Sequence, residues 1–117
     1  MAIERAAMSN SSKTYRSVFS SRLKEARKKI GISQRRLGIE AGMDEFVAST
    51  RVNRYEKGIH EPDEATAVKL AQVLNVPLAY FYADDDRLAE VILLFENLPE
   101  SEKKEYLNFL RAKIPPQ

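Results

Sequence analysis

The chain has 117 residues, 44% hydrophobic and 31% charged, with no cysteine and a formal net charge of +2. That length suits one domain, or a small domain with an appendage, and the apolar fraction is enough for a core, which excludes a wholly disordered chain. The absence of cysteine excludes disulfides and thiolate metal sites, and no apolar run nears the roughly 18 residues that a spanning helix needs.

The charge is unevenly spread. Residues 13–58 carry 12 Lys/Arg against 5 Asp/Glu, and residues 59–117 carry 6 against 11. A basic half joined to an acidic half points to a head that binds a polyanion and a body with another task. The N-terminus lacks the apolar stretch of a signal peptide, so a cytoplasmic location is expected.

Residues 1–13 show no sustained period, cluster serine and asparagine from Ser9 to Ser12, and read as a disordered tail. From about Arg16 to Ile30 the pattern turns helical, with Phe19, Leu23, Ala26 and Ile30 on one stripe and Gly31 at its end. Lys24, Arg27, Lys28 and Lys29 lie among or opposite these residues. A short stripe without tryptophan fits a globular core better than an anionic membrane surface. Ser33 then caps a short helix. Leu37 and Ala41 share its inner face, and Gly42 can end it in a left-handed conformation.

The connection Met43 to Ala48 has two readings. Asp44 could start one long helix that runs to Glu56. Alternatively, Ser49 caps a shorter helix, and Phe46 and Val47 fold onto the core from an enlarged turn. In either case Ala48, Val52 and Tyr55 recur at helical spacing and Gly58 stops the run. Two short helices with a glycine between them, the second basic outside, make a helix-turn-helix candidate.

Pro62 stops the previous element and Asp63 can cap the next helix, which runs to about Leu74 with Ala67, Leu70, Ala71 and Leu74 inward. Asn75 and Pro77 close it. Leu78 to Tyr82 adds a last turn, with Phe81 reaching the core. Leu23, Leu37, Val52, Leu70 and Leu74 are the expected centre of that core. Ala83 to Asp86 reads as a hinge. Its three carboxylates lack the spacing of a calcium loop and suit a helix N-terminus instead. Two helices follow. Leu88, Val91, Ile92, Phe95 and Leu98 form a stripe widened by Leu93 and Leu94. Pro99 and Ser101 open the last helix, where Tyr106, Leu107, Leu110 and Ile114 repeat. These stripes exceed what packing the pair on itself requires, which favours association.

The ordered set Arg22-Leu23-Lys24, Arg27, Gly31-Ile32-Ser33-Gln34, Leu37, Ala41-Gly42, Tyr55-Glu56-Lys57-Gly58, Pro62, Leu70, Ala71 and Leu74 resembles the lambda-repressor/Cro, or XRE, family of helix-turn-helix domains. The connection after Gly42 is about four residues longer than that family's usual pattern. The resemblance implies an all-α fold with a five-helix DNA-binding domain at 14–83; the stripes beyond it give a two-helix hairpin at 84–117 that is expected to serve dimerisation. The resemblance also implies a transcriptional regulator, a repressor acting as a homodimer on an inverted-repeat operator in double-stranded DNA.

On the Ser49-capped reading, Ser49, Thr50, Arg54 and Lys57 share the outward face of the recognition helix, with Arg51 and Asn53 at its edges. Arg reads guanine through two parallel hydrogen bonds, whereas Ser and Thr discriminate weakly. The resemblance carries base contact onto Ser49, Thr50 and Arg54. Ser33 and Gln34 stand at a helix N-terminus, where backbone N–H groups favour phosphate. The resemblance adds a Gln34 side chain that touches phosphate and braces the recognition helix, and an ion pair between Arg27 and Glu56. Lys24 and Lys57 are further phosphate candidates.

Other function classes find less support. His60 is the only histidine and no glycine-rich phosphate loop is present, so an enzyme is not expected. Neither is a cofactor, a membrane partner or a small-molecule effector. The rival reading is a protein-interaction module, including an antitoxin-type protein whose C-terminal helices bind another chain.

Overall fold

The computed structural model describes residues 15–116, so the expected tail lies outside the described residues. Among these residues there are six α-helices and no strand: α1 (Tyr15–Ile30), α2 (Gln34–Glu40), α3 (Ala48–Glu56), α4 (Glu64–Leu74), α5 (Asp86–Glu96) and α6 (Glu100–Lys113). A 3-10 helix, Leu78–Tyr82, links α4 to α5.

Local chemistry sets most boundaries. The Ser33 hydroxyl accepts from the Arg36 N–H at 3.0 Å, and the Asp63 carboxylate from the Thr66 N–H at 2.8 Å. Each satisfies a donor that the first helical turn leaves orphaned. Asn75 closes α4 in the left-handed region, and Gly42 follows α2 at φ +93°, where a side chain would be strained.

The core is the stripe residues brought together. Leu23, Leu37, Val52 and Leu70 are wholly buried and Leu74 nearly so, joined by Phe19, Ala67, Tyr80 and Phe81. The Phe19 and Phe81 rings lie 4.8 Å apart in a tilted pair. Ile30, expected inward, is instead half exposed. It is the last residue of α1 and lines a surface groove with Leu74, Val76 and Leu93.

The connection after α2 follows neither reading. No long helix starts at Asp44. The Asp44 side chain accepts from the Phe46 N–H at 2.8 Å, and its carbonyl accepts from Val47 and Ala48. Ser49 is no cap: Val47 precedes α3 without a side-chain cap, and Ser49 is the helix's second residue. Phe46 and Val47 do not fold inward, since Phe46 is 88% exposed and Met43 fills the core beneath the turn. The reason is a contact remote in sequence. A Cβ on Gly38 would fall 2.7 Å from the Ala48 Cβ, so α2 and α3 touch where Gly38 has no side chain. That contact fixes where α3 begins.

The expected hinge is a strut. Buried Arg22 of α1 donates from Nε to the Ala83 carbonyl at 2.8 Å and from Nη2 to Asp86 at 3.0 Å. Its guanidinium also lies over the Tyr80 ring. The Tyr80 hydroxyl donates to Glu25 at 2.6 Å. Burial, and then that carboxylate, push the phenol well above its ordinary pKa. Asp85 caps α5, accepting from the N–H groups of Arg87 and Leu88.

Buried Ala89, with Ile92 and Leu93, holds α5 against the head. By contrast, α6 is lightly held, with Lys103 Nζ lying 5.8 Å over the Phe95 ring of α5. Leu88, Val91, Leu94 and Phe95 on α5 and Tyr106, Leu107, Phe109, Leu110 and Ile114 are all exposed.

Candidate nucleic-acid interface

The helix α3 buries Ala48, Val52, Tyr55 and Glu56 and turns Ser49, Thr50, Arg51, Arg54 and Lys57 to solvent. This is amphipathic spacing with a polar, cationic outer side. Ser49, Thr50, Arg54 and Lys57 make no hydrogen bond or ion pair with another side chain among the described residues. Arg51 is engaged, since its Nη2 donates to the Tyr55 hydroxyl at 2.9 Å and its guanidinium lies over that ring.

A hydrogen-bonded cluster beneath α3 holds it in place. Arg27 donates to both oxygens of Glu56, from Nε at 2.6 Å and from Nη2 at 3.0 Å. A third donation, from Nη1, reaches the Ile32 carbonyl at 3.0 Å. The Glu56 side chain is 3% exposed and that of Arg27 13%. The hydrogen bond to the Glu56 carboxylate raises the Arg27 pKa further, against an opposing effect of burial. Such forked pairing fixes angle as well as distance. Gln34 Nε2 donates to Glu56 at 3.0 Å, and Asn53 Nδ2 to Gln34 Oε1 at 3.4 Å. One carboxylate therefore ties α1, α2 and α3 together.

Gln34 and Asn53, expected at the DNA surface, are thus half-buried and bonded to each other. Ser33 uses its hydroxyl oxygen as a cap while staying exposed. Lys24 is exposed on α1. Around the edge, Arg35 pairs with Glu45 at 3.1 Å and Arg36 with Glu40 at 2.5 Å, whereas among the described residues Arg51 and Arg54 of α3 and Lys57 at its end form no ion pair with a carboxylate. Gln34 was expected to brace the recognition helix and is bonded to it, but sequence reasoning did not name Asn53 as a partner. The only signal for that link is two amides placed on facing helices.

A helix-turn-helix family model matches residues 23–81, half of the chain. The chain belongs to the XRE-type helix-turn-helix family. It is accordingly a DNA-binding transcriptional regulator and not an enzyme.

The regulator is 30% identical over 104 residues to the cryptic phage CTXphi transcriptional repressor RstR of Vibrio cholerae, across 83% of this chain and 88% of that one. An uncharacterized HTH-type transcriptional regulator of Sinorhizobium medicae (strain WSM419) is 31% identical over 64 residues, 55% of this chain and 43% of that protein. The crystal structure of transcriptional regulator BswR matches with a TM-score of 0.75 at 47% identity, covering 80% of this chain and 92% of that chain. That coverage extends beyond the helix-turn-helix segment. No described helix is long and apolar enough to cross a membrane.

Proposed function

We propose that this regulator is a cytoplasmic repressor that binds an inverted-repeat operator as a homodimer, with α3 in the major groove and the joint made by α5 and α6. The observation that carries the dimer is the uncovered apolar surface of those helices, where nine large side chains from Leu88 to Ile114 stand exposed. Apolar surface of that extent, kept in water, is ordinarily an interface. Its position beyond the head leaves both copies of α3 free. Two-fold symmetry in the protein then calls for two-fold symmetry in the operator. The printed role of the Vibrio phage relative supports repression. A bound dimer blocks polymerase by occupying its path.

In this reading Ser49, Thr50 and Arg54 read base edges, with Arg54 the guanine contact, while Lys57, Lys24 and the Ser33 end of α2 meet phosphate. Arg51 and Asn53 act at the margin, because one nitrogen of each already donates within the head, Arg51 Nη2 to Tyr55 and Asn53 Nδ2 to Gln34. No effector or cofactor is needed for binding.

Sedimentation of the full chain beside a chain ending at Leu98, together with selection of bound sequences from a random DNA pool, tests the proposal. The shorter chain keeps α5 on the head and loses only α6. We expect a dimer and a palindromic consensus for the full chain, and a monomer with much weaker operator binding for the shorter one. A full chain that sediments as a monomer overturns the homodimer and makes α5–α6 a docking face for a different protein, the antitoxin-type alternative.

A further inference from the structure

Phe46 stands 88% exposed on the turn that leads into α3. One exposed ring is ordinary on a protein surface. Its placement here is not. The Ala48 N–H bonds the Asp44 carbonyl at 3.0 Å, and the Arg51 N–H bonds the Val47 carbonyl at 2.9 Å. These are the i+4 to i bonds of an α-helix, on both sides of the start of α3. Between them the ladder is interrupted, since the Glu45 and Phe46 carbonyls accept no such bond, so the segment is a separate turn that leads directly into α3. Phe46 lies two residues before the first residue of α3, at the N-terminal end of the helix that carries Ser49 and Thr50.

The turn is also held still. The Asp44 carboxylate takes the Phe46 N–H at 2.8 Å, and Glu45 is paired across to Arg35 of α2 at 3.1 Å. The N-terminal end of a recognition helix is the part that meets base edges. In the major groove the apolar group on offer is the C5-methyl of thymine, which an aromatic ring can cover.

We propose that Phe46 is a base-reading residue that selects thymine through its methyl group, at the N-terminal end of the helix whose Ser49 and Thr50 make base contacts. This rests on α3 being the groove-bound helix. It adds an apolar contact to the polar set of α3, and it makes the lengthened turn part of the recognition surface.

The test uses the full chain and the operator selected from random DNA, resynthesised with deoxyuridine in place of one thymine at a time. Uracil keeps the base pair and removes only the methyl. Burial of a methyl-sized group corresponds to roughly three- to five-fold in affinity. The wild-type chain should lose that factor at one thymine in each half-site. Phe46→Ala should lose a similar factor on the thymine operator and be indifferent to uracil at that position, while Phe46→Leu keeps part of the preference. Full binding of every uracil operator by the wild-type chain overturns the inference, as does a Phe46→Ala chain that still loses affinity at the same uracil. Phe46→Ala that binds DNA normally but fails to repress overturns it too, and assigns the ring to a protein contact. The parent reading is separated by Arg54→Ala on the same operators. If that variant keeps sequence preference intact, α3 is not the reading helix, whatever the uracil series shows.

Discussion

Replacing Glu56 by alanine removes three hydrogen bonds at once, the two from Arg27 at 2.6 and 3.0 Å and the one from Gln34 at 3.0 Å. Hydrogen bonds to charged groups contribute about 1.5–3 kcal/mol each, and stranding one member of a buried pair costs about 3–5 kcal/mol. The sum overstates this case. Arg27 keeps the Ile32 carbonyl, and its 13% exposure lets water reach the guanidinium. We expect a loss of about 3 kcal/mol for Glu56→Ala, read as a fall in Tm of roughly 10–20 °C. Arg27→Ala should do at least as much, because it leaves a carboxylate that is only 3% exposed. The assay is a double-mutant cycle by urea denaturation on Arg27→Ala, Glu56→Ala and the pair. A coupling of about 2 kcal/mol is expected. A coupling below about 0.5 kcal/mol, as for a pair in open water, would refute the reasoning.

Leu37→Ala should lower stability by about 2–5 kcal/mol, since Leu37 is wholly buried between α2 and its neighbours; an unresolvable shift in the denaturation midpoint would contradict that burial. Arg54→Ala should lower affinity for the selected operator by about 1–3 kcal/mol per half-site and relax preference at one base pair. Lys57→Ala should weaken operator and random DNA alike and flatten the salt dependence by roughly one unit of log–log slope per lysine; titrations at several salt concentrations on both DNAs distinguish the two. Hydrogen bonds from the Arg87 side chain, then from its backbone N–H, hold the Asp85 carboxyl down at about 2. A depressed folded pKa gives stability that is present above the ordinary carboxylate range and lost as pH falls towards the folded value. Asp85→Asn should therefore lose less Tm than wild type on acidification from about pH 4 to about pH 2, as measured by circular dichroism.

The sequence stated its local rules clearly. Ser33, Asp63 and Asn75 each mark a helix end through a side chain or backbone state that depends on a few adjacent residues, and the structure puts the ends there. The core stripe was legible for the same reason, as helical period needs no knowledge of the partner. The turn after Gly42 was not. Its form depends on Gly38 meeting Ala48, a contact between two helices that no period encodes. Arg22 was missed as a buried residue although it falls within the stripe, three after Phe19 and four before Ala26. A charge there is read as solvent-facing until a carbonyl and a carboxylate are seen to receive it. In the site, the outward face of α3 followed from spacing. The capture of Gln34 by Glu56, and of Asn53 by Gln34, did not, because it needs the crossing of α2 and α3.

The buried Arg22 has a consequence for assembly. By gripping Ala83 and Asp86 it makes the junction between head and arm a weld instead of a joint. The conformational freedom of that junction is given up when the chain folds, and none is left to be lost when the arm meets a second surface. Binding is weakened by every degree of freedom it must freeze, so the α5 face, already set on its bearing, associates more tightly for the same apolar area. It also behaves as a fixed lever. A change in the Arg22 contacts would swing the exposed faces of α5 relative to α3 without touching either, altering the geometry of anything joined through them.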